Sequence, residues 1–120
     1  MAKIMTVDDS VSLRKLVAQT LAGAGHDVAE AANGADALST AKQKTFDLII
    51  SDLNMPGMDG LSFVRQLRQL AAYRTVPVLI LTTEMDPAKK KEAKEAGATG
   101  WLVKPFDPSQ LLATIRKVLD

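Results

Sequence analysis

The chain has 120 residues, 47% hydrophobic and 24% charged, with 15 basic against 14 acidic side chains, one histidine and no cysteine. That length carries one domain with a true core, the net charge of +1 offers no broad field for nucleic acid phosphates, and the missing thiols exclude disulfides, thiolate metal sites and cysteine nucleophiles. No stretch reaches the roughly 18 to 20 apolar residues of a membrane span, and MAKIMTVDDS lacks a signal-peptide apolar region, so the expectation is a cytoplasmic monomer with no membrane insertion and no nucleic acid bound by this chain alone.

Short apolar runs alternate with helical patterns along the chain. KIMTV (3–7) precedes a helix over 11–23, where Leu13, Leu16, Val17, Thr20 and Leu21 recur at three- and four-residue spacing and are expected to pack inward. AGAGHDV reads as a turn that leaves His26 in a surface loop, without a second histidine for a zinc site. DVAEA (27–31) precedes a helix over 34–43, DLIIS (47–51) one over 59–72, VPVLILT (76–82) one over 87–96, and GWLV (100–103) one over 108–119. This rhythm predicts an α/β fold on a parallel sheet. Leu48-Ile49-Ile50 and Val78-Leu79-Ile80-Leu81 are apolar without alternation, as for strands covered on both faces, and are expected at the sheet centre.

Leu111, Leu112, Ile115, Val118 and Leu119 form a second inward stripe. Ser10, Asp86-Pro87 and Asp107-Pro108-Ser109-Gln110 mark helix starts, and Gly97 a stop. PAKKKEAKEA offers only alanines to the sheet, so its helix should be weakly anchored. Lys89, Lys90, Lys91 and Lys94 then form either a solvated face or a partner-docking face. No repeat or linker interrupts the chain, so residues 1–120 are expected to form one domain.

The chemistry sits where the apolar runs stop: Asp8-Asp9 after the first, Asp52 after the third, Thr82 after the fourth and Lys104 after the fifth. If these runs are neighbouring parallel strands, their carboxyl ends open into one crevice. Gathered carboxylates repel one another unless a cation neutralises them. Oxygen-only ligands select a hard ion, and so thin a set suits Mg²⁺, which keeps several waters. Asp52 is the candidate nucleophile, since a carboxylate can attack phosphorus without prior deprotonation. Lys104 and Thr82 are candidate contacts to phosphoryl oxygens.

Each residue has a plainer reading: Asp8-Asp9 as a helix cap, Lys104 as a solvated tip, Thr82 as a backbone partner. Their coincidence at four strand ends favours the site. Pro105 allows a cis bond that would aim the lysine. Asn54-Met55-Pro56-Gly57-Met58-Asp59-Gly60 reads as a rigid loop that presents a backbone carbonyl, from Asn54, beside the metal. Gly57 and Gly60 would serve positive φ or close backbone approach. Neither GxxxxGK[ST] nor GxGxxG occurs, which disfavours nucleotides.

VDDS at 7–10, SDLNMPGMDG at 51–60, LTTE at 81–84 and GWLVKPF at 100–106 together resemble the receiver domains of two-component response regulators, most closely the single-domain chemotaxis type. The resemblance covers the whole chain and implies a flavodoxin-like, doubly wound (βα)5 fold with five parallel strands in the order 2-1-3-4-5. It implies Asp52 as phosphoacceptor, Asp9 as a direct Mg²⁺ ligand, Asp8 as an acidic group acting through water, Asn54 as a backbone ligand, and Thr82 and Lys104 as phosphoryl contacts. The implied donor is a sensor histidine kinase or its phosphotransfer domain. The implied output is a surface formed by the fourth helix, fifth strand and fifth helix, switched through Thr82 and an aromatic to bind a downstream target protein.

Trp101 stands at that aromatic position, where Tyr or Phe is usual, and Thr83 where a small residue is common. Asn54 and Glu84 flank the expected path of hydrolytic water, which suggests a short-lived phosphoryl state. No output domain is visible in the sequence, so the chain either docks to another protein or is the receiver of a longer regulator. An aspartyl-nucleophile phosphatase of the haloacid-dehalogenase type would need an acidic residue where Asn54 stands, and a flavodoxin-like electron carrier would not place two carboxylates after its first strand.

Overall fold

The computed structural model describes residues 2–120. Strands and helices alternate: β1 (Lys3–Val7), α1 (Val11–Gly23), β2 (Asp27–Ala31), α2 (Gly34–Gln43), β3 (Leu48–Ser51), α3 (Gly60–Gln69), β4 (Val78–Thr82), α4 (Pro87–Ala96), β5 (Gly100–Val103) and α5 (Pro108–Leu119). Every ladder is parallel, in the order β2-β1-β3-β4-β5 expected from the resemblance. Among the described residues no helix is long and apolar enough to cross a membrane.

Successive residues of a strand point to opposite faces, and both faces here are apolar. Ile4, Leu48, Ile50, Leu79 and Leu81 pack with Val17 and Leu21 of α1 and with Leu111 and Ile115 of α5. Met5, Val7, Ile49, Val78 and Ile80 pack with Ala37 and Leu38 of α2, Phe63, Val64 and Leu67 of α3, and Ala93 of α4. This two-sided burial is why β3 and β4 read as unbroken apolar runs.

Helix starts follow capping chemistry. The side chains of Ser10, Asp86 and Asp107 accept from the main-chain N–H groups of Leu13, Ala88 and Ser109, and Gly97 ends α4 at φ 115°. Asn33 and Asp59 cap α2 and α3 in the same way, through Asp36 N–H and Ser62 N–H. The expected helix over 59–72 is therefore shorter. Asp59 stays extended as its cap, Leu70 leaves helical geometry at ψ 128°, and Ala71–Tyr73 form a separate 3-10 turn. The expected strand over 76–82 begins only at Val78, after Pro77, which lacks an N–H for the ladder.

Leu16 is 54% exposed rather than packed inward. The buried stripe of α1 is Val17 and Leu21, spaced by four, and Leu16 lies about 100° around the helix from Val17. His26 does lie in the α1–β2 loop, half-buried, where Nδ1 accepts from Ala2 N–H at 3.2 Å. The thin apolar face of α4 is plain: of its ten residues only Ala93 is buried, whereas α3 buries Leu61, Phe63, Val64 and Leu67. Each large side chain fully buried contributes about 1.5–3 kcal/mol, so α4 is held by far less burial than α3.

Candidate functional site

Strand register gathers the polar strand ends. Val7 pairs with Ser51, so Asp8 and Asp52 leave adjacent strands at the same height. Asp52 N–H donates to Val7 O at 2.9 Å and Asp8 N–H to Ala31 O at 3.1 Å, which carries the ladders one residue beyond the strands. Thr82 pairs with Val103, and Lys104 N–H donates to Thr82 O at 2.8 Å. Asp8, Asp9 and Asp52 each bring a carboxylate oxygen within 4.8 Å of the others.

Two of these carboxylates are deeply set, Asp8 at 4% and Asp52 at 8% exposure, while Asp9 is exposed. Lys104 bridges the buried pair, its Nζ 2.8 Å from Asp8 Oδ2 and 3.0 Å from Asp52 Oδ2. Burial by itself lowers the lysine pKa, but hydrogen bonds and attraction from Asp8 and Asp52 outweigh it and hold the ammonium above its ordinary range. The other oxygens are fixed by main chain: Asp8 Oδ1 accepts from Ser10 N–H at 2.9 Å and Asp52 Oδ1 from Leu53 N–H at 2.6 Å. Three carboxylates and one ammonium leave two formal negative charges. One hard dication balances that charge, and the oxygen-only donor set fits Mg²⁺.

Thr82 is fully buried, and its Oγ1 accepts from Glu84 N–H at 3.2 Å. The hydroxyl thus organises the turn after β4 and keeps its proton available as a donor. The Lys104–Pro105 bond is cis. In the β3–α3 loop Asn54 is exposed and Gly57 takes φ 77°. Gly60 N–H donates to Leu53 O at 2.8 Å, and a Cβ at position 60 would come within 2.7 Å of Leu53 Cα. One glycine therefore serves positive φ and the other close approach. Trp101 stands apart from the acidic cluster: half-buried on β5 and paired with Ile80, it lines a groove of about 450 Å³ with Pro87, Lys90, Lys91, Lys94 and Ala98.

Sequence reasoning missed Arg14 and Glu30. Arg14 Nη1 donates to the main-chain oxygen of Asp8 at 2.7 Å and Nε to Glu30 Oε1 at 3.0 Å. The only signal was a basic residue in the first turns after an acidic pair, and its partner on β2 is sixteen positions away in sequence.

The family model for the response regulator receiver domain matches residues 4–116. The chain is 52% identical to a solved structure of the Vibrio cholerae chemotaxis protein CheY4, which superposes with a TM-score of 0.95 over 98% of each chain. It is 39% identical to Protein PilH of Pseudomonas aeruginosa over 99% of this chain and 98% of that one. The receiver domain of a Pseudomonas aeruginosa sensor histidine kinase, solved with a magnesium ion coordinated in its active-site cleft, is 26% identical with a TM-score of 0.91 over 98% of this chain and 97% of that one. The chain spans about half the length, 48%, of two transcriptional regulators that it matches at 38% and 34% identity.

Proposed function

The chain belongs to the response regulator receiver domain family, and from that membership we propose that it is a signalling switch in which Asp52 accepts a phosphoryl group from a phosphohistidine of a sensor kinase or phosphotransfer domain. The observation that carries this is the convergence of Asp8, Asp9 and Asp52 within 4.8 Å, with Lys104 bridging two of them at the carboxyl ends of the strands. In the reaction a carboxylate oxygen of Asp52 forms a bond to phosphorus while the bond from phosphorus to the donor's imidazole nitrogen breaks, and that nitrogen keeps the electron pair. Asp8, Asp9, Asp52 and the Asn54 carbonyl would hold Mg²⁺, which when bound would supply positive charge against the phosphoryl oxygens.

Lys104 moves from its carboxylate partners to a phosphoryl oxygen, and Thr82 donates its hydroxyl proton to another. Withdrawal of that hydroxyl from Glu84 N–H loosens the turn leading into α4, the least buried helix. The response appears on the face of α4, β5 and α5, through Trp101, as altered affinity for a downstream protein. Asn54 and Glu84 beside the water path favour a short-lived phosphoryl state. Residues 1–120 act as one receiver, monomeric and cytoplasmic. The half-length match to transcriptional regulators supports a second reading, the receiver portion of a longer regulator.

Mass spectrometry after incubation with Mg²⁺ and a small acyl phosphate tests the assignment. Wild type should gain the mass of one phosphoryl group and Asp52→Asn should not. A wild type that gains none, or an Asp52→Asn variant that gains as much, overturns it.

A further inference from the structure

The pair Arg14–Glu30 borders the acidic cluster without touching any group that the reaction uses. Arg14 lies in the first turns of α1, its side chain 13% exposed, and its guanidinium spans two elements: Nη1 donates to Asp8 O at 2.7 Å, and Nε donates to Glu30 Oε1 on β2 at 3.0 Å. The gripped carbonyl belongs to the peptide unit joining Asp8 to Asp9. A peptide unit is one plane, so fixing its oxygen fixes the direction in which the Asp9 Cα leaves it.

The rest of Asp8 is already tied, its N–H to Ala31 O, Oδ1 to Ser10 N–H and Oδ2 to Lys104. The exposed Asp9 carboxylate nevertheless stands within 4.8 Å of the carboxylate oxygens of Asp8 and Asp52, where mutual repulsion favours splaying outward. An oriented backbone is what opposes that splay.

We propose that Arg14 is a positioning residue for the divalent cation, holding the Asp8–Asp9 peptide so that Asp9 faces Asp8 and Asp52, with Glu30 fixing the guanidinium. This rests on the reading of the acidic cluster as an Mg²⁺ site. Simple electrostatics predicts the opposite sign, because removing a positive charge beside three carboxylates should tighten cation binding. Glu30 offsets part of that charge at 3.0 Å, a carboxylate it shares with Lys15 Nζ at 3.8 Å, and orientation outweighs what remains. A lysine would keep the charge but lose the planar fork that serves a carbonyl and a carboxylate together.

Calorimetric titration of the full chain with MgCl₂ separates the two effects. Arg14→Lys and Arg14→Met should both weaken Mg²⁺ binding by about tenfold or more, the range seen when groups that orient metal ligands are lost, even though Arg14→Met removes a positive charge. The Asp9 amide resonance should shift in both variants before any metal is added. With a small acyl phosphate, the Mg²⁺ concentration for half-maximal phosphorylation should rise while the maximal rate changes little, a split that loss of folded protein would not produce.

Equal or tighter Mg²⁺ binding in Arg14→Lys overturns the inference while leaving the site intact, and that variant decides the matter if Arg14→Met fails to fold. A wild type that binds no Mg²⁺ overturns both the inference and the reading beneath it.

Discussion

Tyr73 shows how much one hydroxyl can organise. It is fully buried, donates to the carbonyl of Lys44 at 2.6 Å or of Ala41 at 2.8 Å, and accepts from Phe46 N–H at 3.3 Å. Tyr73→Phe strands these main-chain groups and should cost about 1–3 kcal/mol in urea unfolding at neutral pH. Burial raises the phenol pKa, against a smaller opposing effect from Phe46 N–H. A raised folded value means that this stability is complete below the unfolded pKa of about 10 and declines as pH rises through the folded one. Tyr73→Phe should therefore flatten part of the alkaline loss seen between unfolding curves at about pH 8 and about pH 11.

Lys104 has the same sign. Its raised pKa gives stability that is full below about 10.4 and lost above the folded value. Lys104→Met leaves two buried carboxylates facing each other and should cost about 3–5 kcal/mol in metal-free unfolding, with Mg²⁺ restoring part of it. Asp8, Asp9, Asp52, Thr82 and Lys104 were legible in the sequence because each is a polar residue that interrupts an apolar run. Arg14 and Tyr73 were not, because they bind main-chain carbonyls, which every residue type supplies.

At the scale of elements, α3 and α4 are both ten residues long but are held differently. α4 has a proline-started cap, a left-handed Gly97 and one buried alanine. Arg68 of α3 compensates: Nε and Nη2 donate to Gly97 O at 3.1 and 2.7 Å, and Nη1 donates to Tyr73 O and Val76 O at 2.7 and 2.5 Å. No carboxylate pairs with this guanidinium among the described residues, and burial lowers its pKa.

Hydrogen exchange should report a lower opening free energy for α4 than for α3. Arg68→Ala should speed exchange in α4 by about tenfold or more, since a charged hydrogen bond is worth about 1.5–3 kcal/mol, while β1 and β3 keep their protection. Equal exchange in the two helices would contradict this account of α4. The thin face of α4 was readable from PAKKKEAKEA, but the clamp that holds it was not.

For the whole molecule, the reading of the acidic cluster as an Mg²⁺ site links cation binding to folding. Mg²⁺ at about a hundred times its dissociation constant should add about 2.7 kcal/mol to wild-type stability, seen as a rise in Tm that Asp52→Asn reduces and excess chelator reverses. Beryllium fluoride with Mg²⁺, a phosphoryl mimic, should change the fluorescence of Trp101, the sole tryptophan, and leave Asp52→Ala unchanged. Such a response would join the acidic cluster to the groove between α4 and β5, which share no polar contact among the described residues.

By itself the sequence determined the alternation of strands and helices, the two-sided core and the placement of polar residues at the strand ends, because apolar period, capping and interruption are written in neighbouring residues. The strand order followed from the family resemblance, while the tertiary structure decided that Val7 meets Ser51 and Thr82 meets Val103, that Arg68 and Tyr73 tie distant backbone together, and that Arg14 joins the Asp8 carbonyl to the Glu30 carboxylate. Long-range pairing through main-chain groups leaves no pattern of residue types, since every peptide offers the same donor and acceptor.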